Sequence, residues 1–161
     1  MGLFSKMFKG PQVDMEKSNE NARKMRVLFN DAVENGDNYR IIFGYTEDTS
    51  RFNYGFVHGS KTMIGNLILG WNEQDCSIAV VPTVPDLSGR GDPVIYRRSE
   101  ILKAYRNKFP TDAFVIYPDK KGYIAINAYD WLDDESLYVY VSQEEELAAF
   151  TQFFMEKFST K

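Results

Sequence analysis

The chain has 161 residues, 43% of them hydrophobic and 26% charged, the usage of one globular domain with a sizeable core; this excludes a disordered or collagen-like chain. Twenty-three acids against 19 bases leave a formal net charge of −4, the wrong sign for nonspecific DNA or RNA binding, so no nucleic-acid partner is expected. One Cys and one His exclude an intramolecular disulfide and a structural zinc site of cysteines and histidines, and they point to a reducing, cytoplasmic location.

The chain opens on MGLFSKMFKG, whose apolar residues are broken by Lys6 and Lys9, so no secretory signal is read there. Lys6 also stands where a myristoylation signal needs Ser or Thr. Leu3, Phe4, Met7 and Phe8 beside two lysines would give only a weak hold on a membrane surface, and residues 1–13 are read as a flexible segment. No apolar run is long enough to span a bilayer. Ala22, Met25, Phe29, Ala32 and Val33 recur at spacings of three and four, which predicts a helix from residue 14 to 35 with Gly36 as its stop, hence an N-terminal helical unit over 14–36. Residues 37–161 are then a β domain ending in a helix.

From Tyr39 the pattern becomes strand-like. YRIIFGY, RFNYGFVH, TMIGNLILGW and CSIAVVP predict four strands, antiparallel because their connections are too short for crossover helices. TVPDLSGRGDP, residues 83–93, carries Pro85, Pro93 and two glycines and reads as the longest surface loop. PVIYR is a strand, while SEILKAYRNKF fits either a helix capped by Ser99 or a bent strand. AFVIYP and GYIAINAY form a hairpin about residues 119–122, and LYVYV is the last strand, after an acidic stretch over 130–135. In the C-terminal helix Ser142 and Glu145 fit a capping box, and Leu147, Phe150, Phe154 and Phe158 stripe one face.

The motifs for chemistry are weak. GFVHGSKT, from Gly55 to Thr62, misses the P-loop pattern because Ser60 replaces the second Gly, and it reads as a turn. His58 and Cys76 read as structural, and Asp130, Asp133, Asp134 and Glu135 as a solvated turn without cation-loop spacing, so no cofactor, metal or catalytic residue is assigned. Charge is more informative: residues 97–121 hold seven bases against three acids, and residues 130–146 hold seven acids and no base. The two segments are expected to lie side by side and partly neutralise each other.

VIYRRSEILKAY, AFVIYP, GYIAIN and LYVYVSQEEELAAFTQFFMEKF resemble the second half of bacterial pleckstrin-homology-like (PH-like) and GRAM-like domains. The resemblance implies an α+β fold: a strongly bent, mainly antiparallel sheet of about seven strands forming a barrel, capped by the C-terminal helix, with a role in binding. Members that bind phosphoinositides carry basic residues on the first two strands and their loop; here Glu47 and Asp48 stand against Arg51, so that recognition is not carried over.

The resulting expectation is a non-enzymatic module that binds an unknown protein or peptide at a sheet edge or at the 83–93 loop. Its candidate binding residues are Asp86, Leu87, Ser88, Arg90 and Asp92 of the loop, with Arg97, Arg98, Lys103 and Arg106 of the basic segment. The alternatives are peripheral membrane association through residues 1–10 and 97–121, and a small enzyme using carboxylates and Tyr. The N-terminal helix leaves room for a homo-oligomer.

Overall fold

Asp14 starts the first helix by its side chain: Oδ1 accepts from the N–H of Lys17 at 3.2 Å, which satisfies one of the helix's orphan donors. The structure is a computed structural model and describes residues 13–46, 65–108 and 112–160. Helix α1 (Met15–Ala32) buries Ser18, Met25 and Phe29. It ends earlier than its pattern suggests, because Val33 is already extended. The left-handed position falls to Asn35, at φ 59°, and not to the glycine. Gly36 is needed for space: a Cβ there would stand 2.4 Å from Asn30 Oδ1. Ala22, expected on the buried stripe, is exposed.

A short 3₁₀ turn (Gly36–Asn38) leads into β1 (Arg40–Thr46), β2 (Gly65–Asn72), β3 (Ser77–Thr83) and β4 (Val94–Arg97), which form an antiparallel sheet in that order. A second antiparallel sheet holds β5 (Lys103–Asn107), β6 (Ala113–Tyr117) and β7 (Ile124–Ile126). The segment SEILKAYRNKF, open between helix and strand, thus supplies β5. The described residues form an α+β fold with two helices and two sheets, and not one closed barrel. The sheets meet at one corner, where Tyr45 and Asn127 exchange backbone hydrogen bonds of 2.8 and 2.7 Å. The expected strand RFNYGFVH, the 55–62 turn with His58, and the segment 1–10 lie outside the described residues.

Three layers follow from the side-chain alternation of the first sheet. Phe43, Ile68, Ala79 and Val81 face α1, while Ile42, Leu67, Leu69, Trp71, Ile78 and Val80 face the second sheet and the C-terminal helix. All eight residues of β2 and all seven of β3 are therefore buried. The apolar stripe of α1 is spent on its own sheet. Helix α2 (Glu144–Phe153) continues as a π-helical turn (Phe154–Phe158), closed by Ser159 N–H donating to the Phe154 carbonyl at 2.7 Å. Phe150, Phe154 and Phe158 are wholly buried, as their stripe predicts.

Two expectations fail at this end of the chain. LYVYV is not a strand, because side chains take the backbone groups a ladder would have used. Asn66 Nδ2 donates to the Leu137 carbonyl at 2.8 Å, Asn21 Nδ2 to the Tyr140 carbonyl at 2.9 Å, and Ser142 N–H to Ser18 Oγ at 2.8 Å. Ser142 does not cap α2 either; the cap residue is Gln143, whose amide docks on the edge of β1. Its Oε1 accepts from Phe43 N–H at 2.7 Å, and its Nε2 donates to the carbonyls of Phe43 and Tyr129 at 2.9 and 2.7 Å. Gln143→Ala strands both buried backbone groups of Phe43 and releases the less buried Tyr129 carbonyl, and is expected to cost about 3 kcal/mol in a urea unfolding curve.

Candidate functional site

The 83–93 loop is tied at its base. Thr83 Oγ1 donates to the Gly89 carbonyl at 2.7 Å, and Gly91 N–H donates to the Pro82 carbonyl at 2.8 Å. Its tip is a turn in which Leu87 N–H reaches the Val84 carbonyl at 2.9 Å and Ser88 N–H reaches Asp86 Oδ1 at 3.0 Å. The Ser88 hydroxyl and amide, with Lys24 nearby, hold the Asp86 carboxyl below its usual range. The turn sets Leu87 at φ 59°, a conformation costing a non-glycine residue roughly 1–3 kcal/mol. What holds it there is burial: Leu87 is 6% exposed and joins the α1-side core with Ala79 and Val81.

Arg90 locks the loop to the last turn of α1, with Nε and Nη2 at 3.0 and 2.9 Å from Asp31 Oδ2. Loop and helix together enclose an open groove of about 290 Å³ lined by Glu20, Arg23, Lys24, Val27, Leu28 and Leu87. Val27 is 67% exposed, on a helix whose other large apolar side chains nearby are packed. The groove therefore has an apolar floor of Val27, Leu28 and Leu87 and a rim of mixed charge. A site this small and open does not enclose a drug-sized molecule; it suits apolar side chains presented by a larger partner.

Of the nine residues expected to bind, only the loop residues contribute here. Leu87 is part of the floor and Asp86 stands beside it, Ser88 closes the turn, Arg90 is committed to Asp31, and Asp92 is exposed on the approach to β4. The four basic residues do not converge with them. Arg97 and Arg98 stand at the end of β4. Lys103 and Arg106 are on opposite faces of the second sheet. Lys103 Nζ lies 4.6 Å over the Tyr117 ring. Arg106 makes a two-pronged pair with Asp112 at 2.9 and 2.8 Å, which raises its own pKa. That pair lines a second cleft of about 340 Å³, beside Tyr129, Asp130, Glu144 and Leu147.

The expected mutual neutralisation of the basic and acidic segments is not how the charges pair. Glu135 pairs with Lys17 of α1 at 2.6 Å and Glu146 pairs with Arg40 of β1, while Arg106 finds Asp112 within its own segment. The two segments do meet at the second cleft, where Arg106 shares the lining with Asp130 and Glu144, but the close ion pairs of the acidic segment go to α1 and β1. Val27 and the rim residues of α1 carry no signal in the sequence, and Leu28 reads there as a residue that widens the core stripe, because helical spacing does not separate a groove floor from the core beside it. Cys76 Sγ lies 3.2 Å from the Lys157 carbonyl, and burial raises its thiol pKa, in keeping with a structural role. Among the described residues no helix is long and apolar enough to cross a membrane, and no cluster of three metal-ligating side chains occurs. No protein-family model matches the sequence, and no curated protein matches it.

Proposed function

We propose that the chain is a non-enzymatic protein-interaction module on a PH-like scaffold, whose α1–loop groove receives an amphipathic segment of a partner protein in the cytoplasm. Four antiparallel strands followed by three, a corner where β1 meets β7, and a Phe-lined C-terminal helix set against both sheets support the scaffold. The chain departs from that outline in residues 127–143, which run out to α1 before α2 begins. The lone Cys fits a reducing compartment.

The observation that carries the binding role is Val27, exposed over two thirds of its surface directly beside Leu28 and Leu87. An apolar floor under a charged rim is the arrangement by which a groove takes the apolar face of a helix. Val27→Asp places a charge on that floor without touching the core. It is expected to weaken partner capture by about 100-fold, a loss of roughly 3 kcal/mol, while the thermal midpoint stays within about 2 °C of the parent. Undiminished capture by this variant would remove the groove from the account.

A further inference from the structure

β4 is the outer strand of the first sheet. Arg98 N–H donates to the Cys76 carbonyl at 2.9 Å, and Tyr96 faces Ile78 in the same register, so residues 94, 96 and 98 bond inward to β3. Ile95 and Arg97 therefore turn their N–H groups outward. Among the described residues nothing pairs with either backbone group of Ile95, whose side chain is 36% exposed. The other edges are partly closed from within: Gln143 and Asn127 occupy β1, Thr160 takes both backbone groups of Ala104 on β5, and Asn127 ends β7.

Beside this edge lies a cleft of about 250 Å³ whose lining includes Tyr96, Pro118, Asp119, Lys121, Tyr123 and Ile124. Tyr96 is only 6% exposed, and its hydroxyl has no hydrogen-bond partner among the described residues. The hydroxyl is not one of the side-chain atoms shut away from solvent without a partner, so it opens onto the cleft as an accessible donor. Burial also raises its pKa well above the usual tyrosine range, so the hydroxyl remains a donor. Arg97 and Arg98 stand at the end of this edge and Lys121 lines the cleft, next in sequence to Lys120, and none of the four has an ion-pair partner among the described residues. The nearby Asp119 turns its carboxylate onto the N–H of Lys121 at 2.7 Å.

We infer that the β4 edge and the Tyr96 cleft together bind an acidic, extended peptide of a partner protein. The peptide adds a strand by bonding to both backbone groups of Ile95 and to the Arg97 N–H, since the Arg97 carbonyl already accepts from Glu100 N–H at 2.8 Å. Its neighbouring side chains, alternating in direction, send a carboxylate into the cleft to accept from the Tyr96 hydroxyl and meet Lys121. The short strand and Pro93 just before it discourage pairing between copies of the edge, while leaving the Ile95 groups open to a peptide.

The test is an amide NMR titration with a blocked decapeptide of alternating valine and glutamate, and with its valine–lysine counterpart. The glutamate peptide is expected to slow exchange of the Ile95 amide and to bind at least about tenfold more tightly than the lysine peptide. Ile95→Pro removes no ladder bond, since that N–H faces outward, and is expected to abolish binding. Tyr96→Phe is expected to weaken it about fivefold and Lys121→Glu about tenfold, and Lys121→Glu changes only the surface. Equal binding of the two peptides, an Ile95 amide untouched by either, or parental affinity in Lys121→Glu would overturn the inference. Val27→Asp is expected to bind the glutamate peptide normally, so failure here and failure of the groove are separately visible.

Discussion

Gly70→Ala is expected to lower the unfolding free energy by about 3 kcal/mol, an unusually large effect for one added methyl group. A Cβ at this position would stand 2.4 Å from Phe29 Cζ and 2.7 Å from Cε2. The ring cannot step aside, because Phe29 is fully buried and meets Tyr39 edge-on at 5.4 Å. Gly70 is thus the socket that seats α1 on the first sheet. Phe29→Leu in the Gly70→Ala background should recover part of the loss, giving a favourable coupling of about 1 kcal/mol or more in a double-mutant cycle. A cost for Gly70→Ala below about 0.5 kcal/mol would mean that α1 does not pack on β2 as described.

Phe154→Ala is expected to cost about 4 kcal/mol, enough to leave much of the chain unfolded at moderate urea. Its ring is wholly buried and lies 5.0 Å from Phe114 of the second sheet, 5.9 Å from Phe150 and 5.7 Å from Phe158. Removing it opens a cavity where the helix joins the second sheet, and the rigid aromatic neighbours have little freedom to fill it. Met155→Ala, one residue on and 43% exposed, should stay within about 0.5 kcal/mol of the parent. Losses of similar size in both variants would contradict the position given to the π-helical turn.

These two positions also mark what could be read from the sequence and what could not. The Phe stripe of α2 was legible because a helical period puts Phe150, Phe154 and Phe158 on one face, whatever covers them. The use of Gly70 was not, since a glycine within a strand announces a close approach without naming the ring that makes it. Local signals failed where tertiary bonding outbid them. LYVYV has strand composition, yet Asn66 and Asn21 take its Leu137 and Tyr140 carbonyls, and Ser18 takes the N–H of Ser142 that follows it. Ser142 has the spacing of a cap, yet the cap position falls to Gln143, which serves β1. The segment holding β5 could not be resolved beforehand because Ile101, Tyr105 and Phe109 satisfy a helical spacing as readily as a bent strand.

The candidate site was half legible. Proline and glycine in residues 83–93 identify a loop, but not that Arg90 and Leu87 fasten it to α1. The residues facing Leu87 across the groove belong to another element, and their grouping depends on how α1 rotates about its axis. The open edge of β4 is further still from the sequence. Which N–H groups point outward is set by register, and register appears only once Cys76 and Arg98 are paired.

The groove is tested most directly by placing a photo-crosslinking amino acid at position 27, and separately at the exposed Leu137, in cells that make the protein. One discrete adduct is expected from position 27, lost when Leu87→Asp is added to a chain that still unfolds cooperatively, and none from position 137. The absence of an adduct at position 27, or the same adducts from both positions, would contradict the binding role of the groove.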